Sequence, residues 1–161
     1  MEGSLTARDR LVAGLVAGIG GGIVMDLFLF AALIAGGTAP GAVAALTWGG
    51  LAALLIGSGA AANPTAPALG AGLHFAVAIG WALGYVSLAR TQAQLLLRPW
   101  ISGAAFGLVV YVFMQIVFIT AGQYRRPSAA AFGIALVAYV VAYGVPVGLI
   151  AARMLRPTST G

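Results

Sequence analysis

The sequence predicts an all-α membrane protein: a four-transmembrane-helix bundle with a short interfacial or re-entrant helix between spans 1 and 2. Three observations predict it. A helix needs about 20 apolar residues to cross a hydrocarbon core of about 30 Å, and the chain offers such lengths at 11–35, 68–89, 100–121 and 129–152. Hydrophobic residues make up 61% of the 161 and charged residues 7%, outside the range of soluble globular domains. The arginines, finally, gather on one side of the spans so defined.

The first span, Leu11 to Ala35, carries one ionisable side chain, Asp26. It is too long for the apolar core of a cleaved signal peptide, about 7–15 residues, so a retained helix is expected. The apolar stretch 41–62 is ambiguous, and arginine positions decide it. With four spans and the N-terminus inside, Arg8, Arg10, Arg90, Arg98, Arg153 and Arg156 are cytoplasmic while Arg125 and Arg126 are outside, six against two. A fifth span would make the count four against four. The positive-inside rule therefore favours four spans with both termini cytoplasmic. Residues 41–56 then form a short outer helix anchored by Trp48, opened by Pro40 and ended by Gly57, Gly59 and Asn63-Pro64.

Boundary chemistry marks the remaining spans. Pro67 precedes the second, Arg98-Pro99-Trp100 opens the third and Pro127-Ser128 opens the fourth, with Trp100 and Tyr124 where an aromatic belt falls. The whole chain, 1–161, reads as one membrane domain with a frayed tail at 157–161. Cysteine is absent, which excludes disulfides and thiolate chemistry. Every basic residue is arginine, and the Ala, Gly and Arg bias suggests a GC-rich bacterial genome.

Glycines recur four apart in each span: Gly14, Gly18 and Gly22; Gly80 and Gly84; Gly103 and Gly107; Gly144 and Gly148. Such rows let helix backbones approach closely in lipid, and all of them fall in the cytoplasmic half or near the midplane. Polar side chains show the opposite bias. Counted at ~1.5 Å per residue from the outer ends, Asp26 lies about 14 Å deep, and His74 and Gln115 about 9 Å. Tyr139 stands near the depth of Asp26. The expectation is a bundle closed inside and splayed outside, with a crevice of Asp26, His74, Gln115 and Tyr139 as ligand or proton-pathway residues. Pro146 frees the carbonyl of Ala142 and bends the fourth helix there.

Each sharp reading has a plain counterpart. An intramembrane carboxylate costs roughly 2.5–3.5 kcal/mol on insertion scales, so Asp26 is either a proton- or cation-binding acid or a structural group hydrogen-bonded across helices. His74 is an interfacial hydrogen-bonding histidine, a proton relay with Asp26, or, last, a haem ligand opposite Met25 or Met114. One histidine and one aspartate in the spans do not make a zinc site, so no metal and no cofactor are expected. Arg125 and Arg126 either hold an anion or headgroup or snorkel to the interface beside Tyr124. The net charge of +5 is explained by topology and does not imply nucleic acid. Gly18-Ile19-Gly20-Gly21-Gly22 lacks the preceding strand of a dinucleotide-binding loop, and Ser58, Ser87, Ser102 and Ser128 lack a nucleophile motif. No catalytic constellation emerges.

The glycine-rich first span, His74 early in the second with Gly84-Tyr85 near its end, the Gly103-x-x-x-Gly107-Leu108 opening of the third, and Pro127 after it form a pattern over residues 11–35 and 70–127. That pattern resembles the YagU-like family of small bacterial inner-membrane proteins and their relatives. The resemblance implies a four-helix bundle in the inner, cytoplasmic membrane, and brings no substrate, cofactor or catalytic residue. Three functions stay open on the residues: first a non-enzymatic accessory or lipid- or small-ligand-binding bundle, then a small proton- or ion-coupled transporter using Asp26 and His74, and third an enzyme acting on a lipid-soluble substrate. Expected partners are membrane lipids, with a homo-oligomer or larger membrane complex open.

Overall fold

The computed structural model describes residues 6–124 and 126–156. Helix α1 runs Ala7–Ala35, α2 Pro40–Ile56, α3 Ala66–Thr91, α4 Gln94–Leu97 and α5 Pro99–Thr120. The last span is continuous from Ala129 to Leu155 and comprises α6 (Ala129–Val137), a π-helical segment (Ala138–Gly144) and α7 (Val145–Leu155). A short 3-10 turn, Gly57–Ala62, follows α2. Helices α1, α3, α5 and the last span are long and apolar enough to cross a membrane, and α2, at 17 residues, is shorter. The expected element boundaries differ from these by a few residues at most.

Local chemistry sets the ends. Thr6 caps α1 through a reciprocal pair of bonds, Asp9 N–H to Thr6 Oγ1 at 3.2 Å and Thr6 N–H to Asp9 Oδ2 at 2.8 Å. Pro40, Pro67 and Pro99 stand in the first turns of α2, α3 and α5, where the missing N–H has no intrahelical partner to lose. Helices α1 and α5 finish alike, at the arginine-poor end. Gly37 at φ 90° and Gly122 at φ 67° adopt the left-handed conformation, letting the Thr38 and Gln123 amides reach back to Leu33 and Phe118 at 2.9 Å.

The interior is small and the exterior large. Ala13, Ala17, Ala82, Ala138 and Ala151 are fully buried, while Leu15, Ile19, Ile23 and Leu27 on α1 and Val109, Val112 and Ile116 on α5 point outward. A surface of this kind has lipid as its solvent, and small interior residues give the backbones their close approach.

The glycine rows do this unequally. A Cβ on Gly14 or Gly18 would run into Leu83 or the Ile79 backbone of α3. One on Gly103, Gly107, Gly144 or Gly148 would strike backbone across the interface between α5 and the last span. Gly80 and Gly84 meet nothing within 4 Å, so their expected role in helix packing has no counterpart among the described residues. Along α3 the close approach falls instead at Gly70, over the Trp48 carbonyl of α2.

The spans form an arc: α3 packs on α1, α1 on the last span and the last span on α5. The ends of the arc, α3 and α5, meet through long side chains. Trp81 packs edge-on to Phe106 and Phe113 with centroids 6.0 and 5.0 Å apart, and Tyr85 shares a 2.8 Å hydrogen bond with Ser102. Toward the arginine-poor end this seam opens into a groove of about 520 Å³ between α2, α3 and α5.

Candidate functional site

Asp26 and His74 are the buried polar residues of the core. They come together because α1 and α3 pack closely along the Gly14, Gly18 and Gly22 row. A Cβ on Gly22 would meet the Phe75 ring at 3.0 Å and stand 3.5 Å from His74 Nε2. Asp26, four residues on, faces the same helix. Its Oδ1 lies 3.4 Å from His74 Nε2. The approach is not in line, and Nε2 is left buried without a hydrogen-bond partner among the described residues.

The third member is Trp48, whose indole N–H donates to the same Asp26 oxygen at 3.4 Å. Helix α2 delivers it: Gly70 lets the Trp48 backbone settle onto α3, and Phe30 of α1 packs against the indole at 5.3 Å. Sequence reasoning reads Trp48 as a membrane-interface anchor and misses this role. The signal was Gly70, a lone glycine outside the spaced rows.

His74 opens onto a cavity of about 30 Å³ near the middle of the bundle, lined also by Met25, Leu51, Trp81, Met114 and Tyr139. Leu51, Val77, Trp81 and Met114 line the apolar groove as well. Groove and cavity therefore adjoin, with these four side chains as their common wall and the imidazole on the cavity side. Tyr143 closes the far wall, its hydroxyl donating to the Ala78 carbonyl at 2.6 Å. Met25 and Met114, the methionines that would stand opposite a haem, line the same cavity as His74, and the cavity's size suits a hydroxyl or carbonyl group.

Of the four expected crevice residues, His74 and Tyr139 line this cavity, Asp26 stands behind it against His74, and Gln115 lies elsewhere. Gln115 lines a separate cavity of about 230 Å³ with Tyr111, Gln123, Tyr124 and Phe132. The reason is angular. Its neighbour Met114 faces the centre, and one residue further is about 100° round the helix, on the ridge that Gly103 and Gly107 turn toward the last span. Tyr111 bridges the two places, 5.6 Å from the Tyr139 ring and 6.0 Å from Phe132. Of the anion candidates, Arg126 is exposed, and Arg125 lies outside the described residues, as does the tail 157–161.

The π-helical turn bears on the site because it carries both Tyr139 and Tyr143. Pro146 has no N–H for the Ala142 carbonyl, and the strain expected as a bend appears as a widened turn just before it. Such turns occur often at functional positions. No protein-family model, curated protein or solved structure matches the chain.

Proposed function

We propose that this polytopic membrane protein binds a lipid-soluble molecule, a long apolar body ending in a hydroxyl or carbonyl group, as a non-enzymatic binding or accessory protein. The observation that carries this reading is the buried His74 Nε2, 3.4 Å from Asp26 Oδ1 but without a hydrogen-bond partner among the described residues, on a small cavity that an apolar groove adjoins. A ligand entering between α3 and α5 passes from lipid to site without crossing water. Its polar end arrives at a ring nitrogen that has no hydrogen-bond partner among the described residues. An unsatisfied buried group costs about 1–3 kcal/mol, so the site selects an oxygen-bearing ligand over a plain hydrocarbon. The arginine distribution supports cytoplasmic termini, and the YagU-like resemblance supports the bacterial inner membrane.

The test is native mass spectrometry of the protein purified in mild detergent. A stoichiometric lipid-soluble adduct is expected, retained in Gln115→Ala and weakened on the order of tenfold in His74→Ala. An adduct indifferent to His74, or none in the wild type, removes the proposal.

One observation favours a second reading. Two titratable side chains 3.4 Å apart within the spans suit a proton path, hence a small proton- or ion-coupled transporter. It requires a pH-dependent flux in proteoliposomes that Asp26→Asn abolishes while the variant still folds.

A further inference from the structure

At the arginine-rich end of the bundle, remote from His74, three helix termini surround a further cavity, of about 580 Å³. Arg10 enters it from the start of α1, Arg90 from the end of α3 and Arg156 from just beyond α7; Val86, Leu97 and Leu155 are among its apolar walls. Arg156 donates to the Leu96 carbonyl and, at 3.4 Å, to that of Leu97. It thereby ties the short α4 across the mouth and holds its guanidinium at the rim. Among the described residues none of these arginines pairs with a carboxylate, since the one ion pair is His74 with Asp26 and the nearby Asp9 carboxylate is engaged by Thr6.

Topology alone asks for arginines on this side, but not that three helices direct them into one apolar-walled cavity. Arg98 and Arg153, on the same side, do not line it. Guanidinium groups pair strongly with phosphate oxygens, and basic pockets between helix ends at the cytoplasmic face hold anionic headgroups. We infer that this cavity is a binding site for the phosphate of an anionic phospholipid, with Arg10, Arg90 and Arg156 on the headgroup and the apolar walls along its first acyl carbons. The site is distinct from the His74 crevice and does not depend on what that crevice holds.

The test is titration of the full chain in detergent with phosphatidylglycerol, phosphatidylcholine of identical chains, and inorganic phosphate, read by native mass spectrometry. One phosphatidylglycerol is expected to bind on the order of tenfold more tightly than phosphatidylcholine. Arg10→Gln/Arg90→Gln should abolish that preference, and Arg98→Gln/Arg153→Gln, which removes equal charge from the same side, should keep it. Ala89→Trp, which fills the cavity at constant charge, should block the lipid even if the first double variant fails to fold. Equal loss in both double variants would indicate diffuse attraction and overturn the site, as would binding undisturbed by Ala89→Trp. Displacement of the lipid by millimolar inorganic phosphate would point to a soluble phosphate ester and overturn the assignment to lipid.

Discussion

Thr47 and His74 carry the buried side-chain atoms that find no hydrogen-bond partner among the described residues, and they invite opposite expectations. His74 borders a cavity; Thr47 Oγ1 borders none of those described here. Replacing Thr47 by the isosteric valine removes an unpaired hydroxyl, so Thr47→Val should raise unfolding stability in detergent by about 1 kcal/mol. A loss of stability would show that the hydroxyl is in fact bonded. Trp48→Phe should act the other way. The phenyl ring keeps most of the apolar contact with Phe30, but Asp26 loses its indole donor, at a cost of about 1 kcal/mol. No change in unfolding would mean that the 3.4 Å bond contributes nothing. These residues differ in how far sequence reaches them. An aspartate and a histidine in apolar helices stand out from their surroundings, whereas an indole at a helix end looks like any interface anchor until its helix is seated. Gln115 has the ridge but not the neighbour: which helix a ridge faces is settled by the other three spans.

Helix packing follows the same division. The row of glycines from α5 into the last span is legible because spacing by four is itself the packing geometry, and Gly107 shows what it does, its missing Cβ leaving room for the Tyr139 carbonyl. Gly84 has the same spacing from Gly80 but open space around it. Gly107→Ala should therefore destabilise the bundle by about 1–3 kcal/mol through overpacking against backbone, and Gly84→Ala should change it by no more than about 0.5 kcal/mol. Denaturant titration of the two variants in one detergent checks the pair, and equal effects would mean that α5 and the last span are not held by backbone approach. The π-helical turn was half legible. Pro146 announces a lost hydrogen bond at Ala142, but whether a helix answers by bending or by widening depends on its neighbours, here the backbones at Gly103 and Gly107 and the tyrosine hydrogen bond to Ala78.

For the molecule as a whole, four spans follow from length and arginine placement, yet their arrangement as an arc open between α3 and α5 does not. That gap depends on which pair of helices lacks a tight glycine contact, and the spacing of Gly80 and Gly84 suggests a contact where the structure has none. The open face of Gly80 then becomes a handle on function. Gly80 lines the groove, and a Cβ there meets nothing within 4 Å. A tryptophan at this position would put its ring into the groove from a Cβ that meets no neighbour, and Asp26, His74 and Trp48 are not among the groove's lining residues. If the groove is the route by which a lipid-soluble ligand reaches the imidazole, Gly80→Trp should weaken the adduct at least as much as the roughly tenfold of His74→Ala, while its unfolding stability stays within about 0.5 kcal/mol of the wild type. The phosphatidylglycerol preference at the opposite end should be untouched, because no residue is shared between the groove and the arginine-lined cavity. An adduct retained in Gly80→Trp would mean that the ligand reaches His74 by another path, and one lost together with the phospholipid preference would mean that the substitution disturbs the whole bundle.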